Sequence, residues 1–310
     1  MSKFQARDFL QRFGLVISFL LICLVLSLLS DRFLTVGNLT NILRQSTINL
    51  IIAIGMTYVI LTAGIDLSVG AVLALSTVIT ADLLQRGVPV LPTVFLGLTL
   101  GGVLGMANGL LISRIKVPPF VATLGMMTVA RGLALTYTQG RPITGLPDAF
   151  RTIGTGFLGP IPMPIIVAGV AFLAGYILLT RTRMGMYIYA LGNNPVAAHY
   201  TGIATSNYTT FVYVLAGALA ALAGMILVAR LDSAQPTAGL SYEFDAIAAV
   251  VVGGTSFAGG QGSLFGTLLG VLVISVLNNG LNLLNVSSFY QPVVTGVVIA
   301  LALLLYKAVR

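Results

Sequence analysis

Charged side chains are scarce in this chain: only 8% of its 310 residues are Asp, Glu, Lys or Arg. Soluble domains carry about 25%, so the chain lacks the charged coat of a water-facing globule, and lipid is left to cover much of it. Cysteine is reduced to one residue, Cys23. A single thiol makes no internal disulfide, and a structural zinc site takes about four ligands. Cys23 lies in the first apolar run and reads as a small packing residue. Histidine is also single, His199, and nothing around it suggests a catalytic triad. The lysines are Lys3, Lys116 and Lys307 alone. That excludes a phosphate loop, which needs Gly-Lys-Ser/Thr, although GGTSFAGGQGS (253–263) is glycine-rich enough to imitate one. Neither H-E-x-x-H nor G-x-S-x-G occurs. No catalytic residue, metal site or cofactor is expected, and the chain alone has no nucleotide site with which to hydrolyse ATP.

Apolar residues are what it has instead: 57% of the chain, with a mean hydropathy of +1.01. A helix needs about 20 apolar residues to cross the hydrocarbon core. The runs 14–30, 46–62, 67–84, 92–112, 120–138, 164–180, 209–229, 244–257, 263–281 and 289–306 make ten candidate spans. They arrive evenly, so residues 1–310 read as one all-α, polytopic membrane domain. The run 244–257 is too short to cross alone; it either extends into its glycine-rich flank or is broken. Lys3, Arg7 and Arg12 precede the first run, which exceeds a signal-peptide core and lacks an A-x-A site. An uncleaved first helix is expected.

The net charge of +8 comes from cations scattered between the runs, with no basic stripe of interleaved aromatics, so nucleic acid is not an expected partner. The cations mark topology instead. With both termini cytoplasmic, Lys3, Arg7, Arg12, Arg114, Lys116, Arg181, Arg183, Lys307 and Arg310 fall inside. Arg32, Arg44, Arg86, Arg141, Arg151 and Arg230 fall outside. Positive charge favours that orientation. The external loop 139–163 is rich in Gly and Pro and reads as turns. The internal loop 181–208 holds LGNNPVAAHYTGI, which reads as a short helix. Asn193 or Asn194 can cap it, Pro195 suits its first turn, and Gly202 ends it.

A weak internal repeat is present. Met56 and Met225, Gly97 and Gly266, and Phe120 and Phe289 are each 169 positions apart. In this topology the repeat is inverted, a transporter signature.

Four features stand out among the runs. Gly97, Gly101, Gly105 and Gly109 form a ladder for close helix packing or a conducting face. Arg131 sits in mid-span, where a cation must face protein or water; it reads as a pathway or gate residue or as a structural pair. Asp66, in TAGIDLSVG, or Ser68 can cap the next helix, and Glu243 and Asp245 suit a helix start likewise. Asn278, Asn282 and Asn285 recur at helical spacing and read as interhelical glue or as a sugar-compatible face of the path.

Five stretches carry a family resemblance: NLTNILRQSTINLIIAIGMTYVILTAGIDLSVG (38–70), FVATLGMMTVARG (120–132), RMGMYIYALGNNPVAAHYTGI (183–203), VARLDSAQPTAGLSYEFDAIAAVVVGGTSFAGGQG (228–262) and NNGLNLLNVSSFYQ (278–291). The chain resembles the permease subunits of bacterial ABC sugar importers, ribose permeases most of all. Xylose, galactose or a furanosyl signalling molecule is the alternative cargo, and a stand-alone secondary transporter the alternative mechanism. The resemblance implies alternating access in the inner membrane by a homodimer, a cytoplasmic ABC ATPase and a periplasmic sugar-binding protein. It further implies that a short permease helix docks into the ATPase. Gly192, Asn193, Asn194, Pro195, Ala197, Ala198 and His199 match that coupling segment. The external loops 139–163 and 230–243 are the expected docking surface for the binding protein.

Overall fold

The computed structural model describes residues 3–290 together with 293, 294, 296 and 297, with side chains from Gly14 onward except at Ser288. Within them the main helices are α1 (Lys3–Leu29), α2 (Val36–Leu61), α3 (Val69–Gln85), α4 (Val90–Ser113) and α5 (Pro119–Thr138). They are followed by α6 (Asp148–Thr155), α7 (Met163–Arg181), α8 (Arg183–Asn193) and α9 (Pro195–Tyr200). The last are α10 (Thr205–Leu231), α11 (Tyr242–Val252) and α12 (Leu264–Leu283). Four two-residue strands, β1 (Ile143–Thr144), β2 (Phe157–Leu158), β3 (Ile161–Pro162) and β4 (Ser233–Ala234), lie in the loops.

Local chemistry sets the helix ends. Thr35 caps α2 and Ser263 caps α12, each side chain accepting from a backbone N–H of the first turn. Proline opens α5, α7 and α9, where its missing N–H costs nothing. Asn285 stands just past α12 in the left-handed region, φ 56°, a conformation that Asn tolerates at a helix end.

Among the described residues, six helices are long and apolar enough to cross a membrane: α2, α4, α5, α7, α10 and α12. The apolar part of α1 and the whole of α3 are shorter, and α11 has 11 residues. Burial separates centre from rim. The apolar windows of α2 and α10 are 78% and 67% buried, against 22% for α5 and for α7. The core accordingly forms where α2 and α10 pack together, around Tyr58, Ile51, Tyr213 and Ala216. α4 lies along α10, and α12 along α2.

The glycine ladder of α4 is a helix seam. A Cβ at Gly101 would stand 2.7 Å from Cβ of Ala221, one at Gly105 2.8 Å from the carbonyl carbon of Tyr213, and one at Gly109 2.7 Å from Cα of Thr210. The α10 backbone thus fills the space that side chains would take. Gly266 and Gly270 serve α12 in the same way against Gly253 and Ala249 of the α11 segment.

Nine of the ten expected spans overlap helices, six of them long and apolar enough to cross a membrane; the tenth, 289–306, lies largely outside the described residues, as do Lys307 and Arg310. Two expectations need correction. α2 starts ten residues before the expected 46, because Thr35 supplies a cap. Arg44, assigned to an external loop, therefore lies in a helix, its guanidinium 4.7 Å over the Phe157 ring. The loop 139–163 is also more than turns. α6 packs on α10 through the fully buried Phe150, β1 pairs with β4, and β2 pairs with β3.

Candidate functional site

The segment 192–203 folds as its residues direct. α9 is a short helix whose N-cap is Asn194: Oδ1 accepts from the Ala197 N–H at 2.9 Å. Pro195 occupies the first turn, and Gly202 follows at φ 84°. Val196 and Tyr200 are 63% and 85% exposed, Ala197 and His199 are also exposed, and Ala198 alone is buried. The helix thus rests on one small side chain and presents a largely uncharged outer face. α8 holds it to the bundle, with the Tyr187 and Tyr208 rings meeting edge to face at 5.1 Å.

Behind α9, Gly192 and Gly259 meet backbone with backbone, while the Asn193 side chain lies against Gly260. Gly192 lies against the Leu61 carbonyl at the end of α2 and against the Gly260 N–H. The Gly260 N–H donates to the Leu61 carbonyl at 2.9 Å. The Tyr189 hydroxyl donates to the Gly262 carbonyl at 2.8 Å. Burial pushes that phenol above its usual pKa, so it remains a neutral donor. The glycine-rich stretch 253–263 is therefore the compact link from α11 to α12. Gly254, Gly259 and Gly260 take left-handed φ values of 87°, 81° and 71°, which glycine adopts without strain.

Asp66 lies deeper, 1% exposed. Its Oδ1 accepts from the Ser68 N–H at 2.9 Å and from the Ser68 hydroxyl at 2.6 Å. Ser68 occupies the N-cap position of α3 but makes no side-chain cap bond; Asp66 organises the turn instead. Asn108 of α4 donates to the Ser68 hydroxyl at 2.9 Å, tying α4 to this turn. The first turn of α3 abuts the segment ahead of α11: a Cβ at Gly70 would stand 2.8 Å from Glu243 Oε2. Glu243 and Asp245 occupy the first turn of α11, where negative charge suits the helix dipole.

Arg131 reaches from α5 to the same segment. Its Nη1 donates to the carbonyls of Pro236 and Ala238 at 2.7 and 2.8 Å. A half-buried cation is thus met by peptide dipoles of the 232–241 loop. That loop is fixed further out by Asp232, whose Oδ1 accepts from the Leu146 N–H at 2.8 Å and lies 3.7 Å from Arg151 Nε.

The asparagine face is shorter than its spacing suggests. Asn278 and Asn282 are on α12, but the helix ends at Leu283, so Asn285 does not continue their row. The buried asparagine of α12 is Asn279, beside that row, which exchanges amide hydrogen bonds with Asn38 of α2 at 2.8 and 3.0 Å. Asp66, Ser68 and Asn108 come together; Arg131 joins the 232–241 loop; the asparagines stand apart from both. Sequence reading missed Leu61, Tyr189 and the partner of Arg131. The glycine run was a signal for the first contact; nothing local marked Tyr189.

Comparison with known proteins bears on this arrangement. Residues 38–304 match the family described as branched-chain amino acid transport system / permease component. The chain is 53% identical over 298 residues to the ribose import permease protein RbsC of Bacillus subtilis, covering 96% of this chain and 92% of that one. It is 49% identical to the ribose import permease protein RbsC of Escherichia coli K12, covering 93% and 91%. It is 41% identical to the D-allose transport system permease protein AlsC of Escherichia coli K12, covering 91% and 87%. No solved structure matches. With the family matched across most of its length and six apolar helices of spanning length, the chain is a multi-pass membrane protein and belongs to the branched-chain amino acid transport system / permease component family.

Proposed function

We propose that this chain is the permease subunit of an ATP-binding-cassette importer that carries ribose across a bacterial inner membrane by alternating access. One observation carries the choice of sugar: identity is 53% and 49% to relatives named for ribose, but 41% to one named for allose and 35% to one named for galactose and methyl galactoside. On this reading ATP is hydrolysed by a separate cytoplasmic ATPase, a periplasmic sugar-binding protein delivers the cargo, and the permease works as a homodimer.

α9 with Gly192, Asn193 and Asn194 is the coupling segment in this proposal. A short capped helix with exposed Val196, His199 and Tyr200 suits insertion into a groove of a partner. The loops joined by the β1–β4 pairing suit the binding protein. The path runs at the homodimer seam, along the weakly covered face of α5, where Gly125 and Gly132 have open space beside them. Arg131 serves that path by holding the 232–241 loop, and Asp66 by holding the start of α3. Asn278, Asn282 and Asn285 are kept as candidate lining. Ten crossings with both termini cytoplasmic and an inverted repeat complete the proposal. The repeat draws support from the order long helix, short helix, glycine-seamed helix, found in α2–α4 and again in α10–α12. It also draws support from the reciprocal packing of α4 on α10 and α12 on α2.

A complementation test addresses the cargo. In a bacterium that keeps its own ribose ATPase and binding protein but has lost its permease, this chain restores growth on ribose. Restored growth on another sugar, but not on ribose, would reassign the cargo.

A further inference from the structure

Three chain segments meet behind α9, backbone against backbone at Gly192 and Gly259 and with the Asn193 side chain against Gly260. Gly192 presses on the end of α2 and on the Gly260 N–H. A Cβ at Gly259 would stand 2.9 Å from the Ala63 N, 3.0 Å from the Gly192 O and 3.0 Å from the Leu61 O. The Gly260 N–H closes the group by donating to Leu61 O. Side-chain contacts can yield by changing rotamer. Backbone in contact with backbone cannot, and a close-packed interior transmits strain.

We propose that Gly192, Leu61 and the Gly259–Gly262 backbone form a rigid junction that passes displacement of α9 to α3 and to α11, with Tyr189 as its positioning residue. The inference rests on the reading of α9 as the ATPase-coupling helix. One branch runs through Leu61. The chain turns at Ala63, φ 59°, reaches the Asp66–Ser68 turn within a few residues, and enters α3. The other branch runs through the glycine link, which joins the end of α11 to the Ser263 cap of α12. The two branches meet again where Gly70 abuts Gly239 and Glu243. A push on α9 therefore reaches the starts of α3 and α11 from two sides. Tyr189 fixes the junction from α8 through its bond to Gly262.

The test uses the assembled importer: this chain, its ATPase and its binding protein in proteoliposomes supplied with ribose and ATP. Two quantities are read, ATPase retained by the permease and ribose taken up per ATP hydrolysed. Tyr189→Phe removes one hydrogen bond and adds no bulk; uptake per ATP should fall about threefold. Gly192→Ala forces the segments apart, and the same ratio should fall at least about tenfold. ATPase retention should match the parent in Tyr189→Phe. Parent-level uptake per ATP in Tyr189→Phe overturns the junction, and that variant decides the matter if Gly192→Ala does not accumulate. Loss of the ATPase in Tyr189→Phe also overturns it, since Tyr189 would then belong to the docking surface. The coupling reading is judged separately: a cysteine at Val196 that never cross-links to the ATPase in the otherwise unaltered chain refutes that reading and leaves the Tyr189 result to be explained without it.

Discussion

Gly105→Ala and Gly102→Ala place the same methyl group three residues apart on α4, and the packing predicts opposite outcomes. At Gly105 the new Cβ would stand 2.8 Å from the Tyr213 carbonyl carbon and 3.1 Å from Val214 Cα. Both are backbone atoms and cannot rotate away. Carbon atoms pack favourably at about 3.5–4.0 Å, so α4 and α10 must part by roughly 1 Å, and a gap of that size forfeits about a quarter to a half of the dispersion energy along the seam. Overpacking of this kind costs about 1–3 kcal/mol. At Gly102 the nearest atom is Val214 Cγ1 at 3.7 Å, an ordinary contact. That methyl should be neutral, or stabilising by up to about 1 kcal/mol through helix propensity. Cys23 is the sole cysteine, so a thiol-reactive fluorogenic dye can follow thermal unfolding in detergent. Gly105→Ala should unfold below the parent, and Gly102→Ala at or above it. Equal losses in the two variants, or a more stable Gly105→Ala, would refute the seam.

Other substitutions follow the same logic. Asp66→Ala leaves the Ser68 N–H and hydroxyl without their acceptor and should cost about 1–3 kcal/mol; Asp66→Asn keeps one oxygen there and should cost less, measured by the same unfolding assay. Arg131→Met strips the Pro236 and Ala238 carbonyls of their donor, so limited proteolysis should cut the 232–241 loop faster than in the parent. Ala197→Glu adds charge to an exposed position of α9 and should abolish stimulated ATP hydrolysis while membrane accumulation stays normal. Ala198→Glu buries the charge under the helix and should reduce accumulation itself.

Much of the bundle was legible because lipid makes the period and length of apolar runs decisive. Asn194, Pro195 and Gly202 marked α9 through chemistry that acts within a few residues. Gly97 to Gly109 marked a seam for the same reason: a ladder four residues apart has one face. What escaped was non-local. The partner of Arg131 is a pair of carbonyls more than 100 positions away, and peptide groups leave no residue-type signal. Asn285 kept the spacing of a helical face, yet the helix ends first. The early start of α2 was missed because the charge of Arg44 outweighed the cap at Thr35. The junction at Leu61 depends on backbone meeting backbone, for which a glycine run is the sole visible trace.

This permease moves ribose only on energy supplied by a partner. Reconstitution of the chain in proteoliposomes, alone and with its ATPase and sugar-binding protein, measures that directly. The chain alone should accumulate no ribose under any proton or sodium gradient, and with both partners present accumulation should depend on ATP. Gradient-driven accumulation by the chain alone would contradict it.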